Sequence, residues 1–177
     1  MRQTPPIYGL LLGATLIVIA FVLQLINARL YLTMSPFIML IVVIAFMVKS
    51  GLDERYRNEG YLSLGDAFKA VFITVAIGTT MCSIFEYVLY NFINPGLMEA
   101  AGELAIETIE KTTQIVGDFM GGEDYEKVVE EAKAEINFED FKMTINETMM
   151  NLFFRLVWPG LICSFIIGLI VKKTNNA

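Results

Sequence analysis

The chain has 177 residues, 55% of them hydrophobic and 18% charged, with 19 acidic against 13 basic side chains. That length suits one domain, the low charge content departs from soluble domains, and the acidic balance excludes a nucleic-acid binder, which needs a basic face. Histidine is absent, which removes Ser-His and Cys-His nucleophilic pairs, His-ligated haem and imidazole zinc sites.

No charge occurs between Arg2 and Arg29, and Tyr8 to Ile26 is long enough to cross a hydrocarbon core of about 30 Å. The rival is a signal peptide, whose apolar core would be shorter and end in small residues at a cleavage site. Gln24-Leu25-Ile26-Asn27-Ala28-Arg29 is a poor site, so an uncleaved first span is expected. The second run, Arg29 to Lys49, has a short unbroken apolar part, Phe37 to Val48. It spans only if Leu30 to Ser35 contribute, with Pro36 near the helix start; a re-entrant segment is the alternative. The third run is Ala67 to Ile93, interrupted by Glu86, and the fourth is Leu156 to Val171, beginning near Leu152 and closed by Lys172-Lys173.

Basic residues orient such a bundle. With four spans, seven of the 13 fall on one side: Arg2, Lys49, Arg55, Arg57, Lys69, Lys172 and Lys173. Both termini are then cytoplasmic, and Trp158, Tyr31, Tyr87 and Tyr90 sit near the outer interface. The expected organisation is all-α and polytopic. Residues 1–96 hold three transmembrane helices with a cytoplasmic loop 49–66, residues 97–151 form an amphipathic helical insert outside the cytoplasm, and residues 152–177 hold the fourth helix and a cytoplasmic tail. The expected location is a bacterial inner membrane, with the insert in the periplasm.

The insert carries 14 acidic and four basic residues. Leu97, Ala101, Leu104, Ile109, Val116 and Met120 roughly follow one helical stripe, which Gly121-Gly122 breaks. Asp124 can cap a second helix and Asn137 a third, the last running on into the fourth span. The plainer reading is a helical cap that packs on itself or lies on the membrane. The functional reading is a docking surface for an outer partner. Asn146-Glu147-Thr148 matches a glycosylation sequon, a tripeptide that arises easily by chance.

Ionisable residues inside spans are functional candidates by default. Glu86 lies about 25 Å along its helix from Lys69, near the outer leaflet. Gln24, Asn27, Arg29, Glu86, Asn91 and Arg155 can gather there as one polar cluster. It is either a register-fixing pair, Glu86–Arg155 or Glu86–Arg29, or part of a polar vestibule or lipid-headgroup site. Thr79, Cys82, Ser83, Glu86 and Tyr90 share a face expected to point into the bundle. Gly9 and Gly13 in the first span, and Gly160, Ser164 and Gly168 in the fourth, are small-residue stripes that permit close helix contact. They read as packing of the first span on the fourth, or of two protomers.

The second loop has its own signals. Gly60 permits a turn, Ser63 and Asp66 resemble a capping box, and Lys69 can snorkel to headgroups. Arg55-Tyr56-Arg57 followed by Gly60-Tyr61-Leu62-Ser63-Leu64-Gly65-Asp66-Ala67-Phe68-Lys69, then the acidic insert and Lys172-Lys173, resembles Domain of Unknown Function 4199. This is a family of small Bacteroidota membrane proteins. The resemblance covers most of the chain and implies four spans but no activity. It also implies a gene neighbourhood with polyprenyl-phosphate glycosyltransferases.

No P-loop, Gly-x-Ser-x-Gly elbow or HExxH is present, and no nucleophile or metal set accompanies Glu86. The expectation is a protein without catalytic residues, cofactor or metal. It serves as an accessory or assembly subunit of an inner-membrane complex, with a membrane-protein partner or a second copy beside it. The alternative is a small carrier or lipid-handling protein for polyprenyl-linked sugars.

Overall fold

The structure is a computed structural model that describes residues 4–120, 130 and 143–173. Its described elements are helical: α1 (Thr4–Ile26), α2 (Ala28–Arg57), α3 (Leu64–Val88) with a π-turn at Leu89–Ile93, α4 (Gly96–Met120), and α5 (Ile145–Arg155) continued through a π-turn (Leu156–Leu161) into α6 (Ile162–Val171). Four helices are long and apolar enough to cross a membrane: Thr4–Ile26, Ala28–Arg57, Leu64–Ile93 and Ile145–Val171. This is a multi-pass membrane protein. It divides into two units, residues 1–87 with 144–177, and residues 88–143.

In the first unit, α1 and α2 are separated by a single extended residue. Asn27 leaves helical geometry at φ −167°, and its side-chain oxygen accepts from the N–H groups of Arg29 at 2.7 Å and Leu30 at 3.2 Å. That N-cap starts α2 at Ala28. Pro36 therefore lies well inside the helix rather than near its start. The second apolar run thus becomes a full span and not a re-entrant segment.

At its other end α2 overruns the expected boundary. Much of the segment 49–66 expected as loop is helix through Arg57, and the Lys49–Asp53 pair at 3.1 Å supports that extension. Gly51 explains why the extra turns pay: a Cβ there would lie 3.0 Å from Val171 and 3.2 Å from Val71, so the bare backbone lets α2 close on α3 and α6. The remaining connection is short. Glu59 and Gly60 take positive φ, 55° and 85°, the left-handed geometry glycine adopts without cost. Ser63 then caps α3, its hydroxyl accepting from the Asp66 N–H at 3.2 Å and donating to the Asp66 carboxylate at 2.7 Å.

α3 is the central helix. Gly9 and Gly13 of α1 press on it: a Cβ at Gly9 would come within 2.7 Å of Ile77, and one at Gly13 within 2.7 Å of Met81. Gly78 answers from α3 itself, where a Cβ would meet Leu12 at 2.6 Å. On its other side, a Cβ at Gly168 would lie 3.3 Å from the Phe68 nitrogen and one at Gly160 3.8 Å from Val75. Both glycine stripes therefore meet α3 within the chain, where the spacing alone reads as first span against fourth or as two protomers. The cores follow this plan. Met47, Leu62, Ala67, Val71, Val75, Ile167 and Val171 fill one end, and Leu12, Leu16 and Cys82 with Met39 and Phe46 lie further along. Leu10, Val18, Leu25, Phe37, Ile41, Phe165 and Ile170 face outward, as lipid-contacting side chains do in a bundle held by packing rather than by water.

The helix that runs into the last span begins at Ile145, seven residues before the span start expected near Leu152. Thr144 and Glu147 close a complete capping box there, Glu147 N–H to the Thr144 hydroxyl at 3.2 Å and Thr144 N–H to the Glu147 carboxylate at 2.6 Å. The expected Asn137 cap, the Asp124 cap and the Gly121-Gly122 break lie outside the described residues. In the second unit, α4 forms where the Leu97 stripe predicts, with Leu97 and Gly102 buried and Ala101, Leu104 and Ile109 half-buried.

Candidate functional site

Two polar assemblies sit at opposite ends of the four-helix unit. The first gathers where the basic residues collect. Leu62 and Lys173 exchange backbone hydrogen bonds at 2.8 and 3.0 Å, which pins the chain beyond α6 against the loop before α3. Arg55 donates to the Val171 carbonyl at 3.2 Å, closing an orphan acceptor at the α6 terminus. Arg57 bonds Thr4, and Tyr8 donates to Asp53, which also holds Lys49. Deeper in, the Thr74 hydroxyl joins three elements: Ser50 at 2.7 Å, the Pro5 carbonyl at 3.2 Å and its own Ala70 carbonyl at 3.0 Å. Of the loop residues singled out by sequence, Arg55, Arg57, Gly60, Ser63 and Asp66 thus have structural roles. Gly65 has nothing closer to a Cβ than the Ser63 hydroxyl at 4.0 Å, and Lys69 is exposed.

The second assembly is built on Glu86. Its side chain is 5% exposed, and its Oε2 accepts from Arg155 Nη1 at 2.6 Å. The Cys82 thiol, one turn earlier on α3, donates to Oε1 at 3.8 Å. Thr79, Cys82 and Ser83 are buried with Glu86, four of the five residues expected on an inward polar face, and Tyr90 is half-buried in the second unit. Ser83 is 2% exposed and its hydroxyl has no partner among the described residues. Tyr31 and Cys82 both lie within electrostatic reach of the Arg155 guanidinium. Tyr31 is 3% exposed, so its ring is packed in protein and not at the lipid interface, whereas Trp158 is 73% exposed.

The six-residue polar cluster separates into distinct roles. Glu86 and Arg155 come together, which resolves the choice of partner in favour of Arg155 over Arg29. Gln24 is buried on α1. Asn27 is spent on capping α2, and Arg29 is exposed. Asn91 belongs to the second unit, where its Nδ2 donates to the Met143 carbonyl at 2.8 Å.

Sequence reasoning missed that both partners are followed by π-turns. One begins at Leu89, three residues after Glu86, and the other at Leu156, directly after Arg155. The second has a legible cause. Pro159 has no N–H to give the Arg155 carbonyl, so the regular ladder fails there. The Gly160 backbone instead draws close to that carbonyl, where a Cβ would be 3.0 Å away. Such turns recur at functional sites. Chemically, the assembly offers a carboxylate, a guanidinium and a thiol. No group of three metal-ligating side chains occurs among the described residues.

A family model described as Protein of unknown function (DUF4199) matches residues 7–173, nearly the whole chain, and the chain belongs to that family. No curated protein and no solved structure matches it.

Proposed function

We propose that this chain is a non-catalytic accessory or assembly subunit of a bacterial inner-membrane complex. In this reading the bundle is a fixed base, and the acidic segment between its third and fourth spans engages a partner outside the cytoplasm. The Glu86–Arg155 ion pair carries the reading. It joins α3, two residues before Val88, to the last span, 12 residues after Met143. Between the two paired residues in sequence lie residues 97–151, which carry 14 acidic and four basic side chains. The same pairing weighs against a carrier, because Glu86 is buried and already partnered.

The test is a mild-detergent pull-down of the tagged chain from its native host, read by mass spectrometry of the eluate. A stoichiometric membrane partner, lost when residues 97–142 are replaced by a short neutral linker, supports the reading. A chain that emerges alone, with a partner absent before and after that replacement, overturns it.

Orientation is tested separately. Lys49, Arg55, Arg57, Lys172 and Lys173 collect at one end, which the positive-inside rule assigns to the cytoplasm. Thr113→Cys or Glu130→Cys, in a background lacking Cys82 and Cys163, should react with an impermeant thiol reagent in intact spheroplasts. Labelling only after lysis would invert the topology.

A further inference from the structure

The Glu86–Arg155 pair is lopsided. Glu86 is 5% exposed, but the Arg155 side chain is 41% exposed. Contact is made by one nitrogen, Nη1, at 2.6 Å, and among the described residues Glu86 is the acceptor this guanidinium has. A guanidinium carries five N–H donors in a planar fork. The Nε and Nη2 edge therefore has no acceptor among the described residues, and the side chain is left 41% exposed.

Its depth makes that open edge consequential. Arg155 stands 16 residues from Val171, or about 24 Å along the axis at 1.5 Å per residue. A hydrocarbon core is about 30 Å thick, so an extended arginine side chain at this level reaches the headgroup boundary of the leaflet opposite Lys172 and Lys173. Donors left unmet there are costly. The acceptors available at that boundary are lipid phosphates and water, and the guanidinium fork matches a phosphate bidentately. Trp158, one turn deeper on the same helix, is 73% exposed.

We infer that Arg155 holds the phosphate of a phospholipid in that leaflet through Nε and Nη2, while Nη1 stays on Glu86 and Trp158 flanks the glycerol and upper acyl region. The site is half protein and half lipid: Glu86 fixes the guanidinium plane and the phosphate completes its donors. This does not rest on the accessory-subunit reading.

Trp158 is the single tryptophan of the chain, so its fluorescence reports the site directly. The full chain in mild detergent is titrated with acyl-brominated phosphatidylglycerol. Saturable quenching is expected, about tenfold weaker for brominated diacylglycerol and for Arg155→Gln, as loss of charge-assisted hydrogen bonds predicts. Lys172→Gln with Lys173→Gln should leave it unchanged, and millimolar inorganic phosphate should not displace the lipid. Equal quenching by diacylglycerol means ordinary lipid contact and overturns the proposal. So does quenching that survives Arg155→Gln, or loss on removing the two lysines. Displacement by inorganic phosphate would reassign the site to a free anion. Should Arg155→Gln fail to fold, Arg155→Lys keeps the charge without the fork and is expected to weaken binding by a similar factor, and the comparison of the two lipids needs no variant.

Discussion

Arg155→Leu is expected to destabilise the bundle by about 3 kcal/mol, the lower end of what breaking a buried ion pair costs. The lower end applies because Arg155 is partly exposed while Glu86 is not. Removing the arginine strands a buried carboxylate that has, among the described residues, only the Cys82 thiol left as a donor. Glu86→Leu is expected to cost less, because the arginine left behind can turn toward headgroups or water. The double variant should recover much of the loss, since a pair replaced by apolar side chains of similar volume is often tolerated. The three values form a double-mutant cycle, measured by reversible unfolding in mixed micelles. A coupling of at least about 1 kcal/mol is the expected result for residues in one ion pair. Additive losses, or a larger penalty for Glu86→Leu than for Arg155→Leu, would show that the pair does not clamp the third and fourth spans.

The four spans were legible because charge-free runs of membrane length leave few alternatives, and a helix start was legible where a capping residue was visible, as at Ser63. The start of α2 was misjudged because Pro36 looked like a boundary. The true boundary is Asn27, whose side chain caps so effectively that a single residue turns the chain. The end of α2 was misjudged because Gly51 and the charges after it looked like a loop. Gly51 is instead a contact, a fact that depends on Val71 and Val171, remote in sequence. Glu86 and Arg155 were both visible as intramembrane charges. Their pairing over Arg29 needed the antiparallel register of α3 and the last span, which Gly160 and Gly168 set against Val75 and Phe68. The Thr74 junction with Ser50 and Pro5 carried no signal, since a threonine in an apolar helix ordinarily bonds its own preceding turn. The glycine stripes were legible as close contacts but not by partner, which within the chain is α3, because spacing shows that a helix is approached closely but not by what.

That last point gives the second large effect. Gly9→Ala is expected to destabilise the bundle by about 2 kcal/mol, within the usual range for overpacking, and Gly9→Leu to cost more. A Cβ at Gly9 would stand 2.7 Å from the Cβ of Ile77 and 3.1 Å from the Thr74 carbonyl oxygen. Neither neighbour is the end of a flexible side chain, so relief requires α1 and α3 to separate. Separation also stretches the Thr74–Pro5 hydrogen bond, already 3.2 Å, and forfeits dispersion contacts along the Leu12–Gly78 seam. A lipid-facing residue one position on, Leu10, makes no such contact demand, and Leu10→Ala should change stability little. Alanine is intrinsically the better helix former by about 1 kcal/mol, so a net loss reports the contact, and second-site changes locate it. The clash is with the Ile77 Cβ itself, so Ile77→Ala should not rescue Gly9→Ala, whereas Ile77→Gly should recover part of the loss. Rescue by both, or by neither, would mean that α1 and α3 do not meet backbone to backbone at this point, and the central position of α3 would need another explanation.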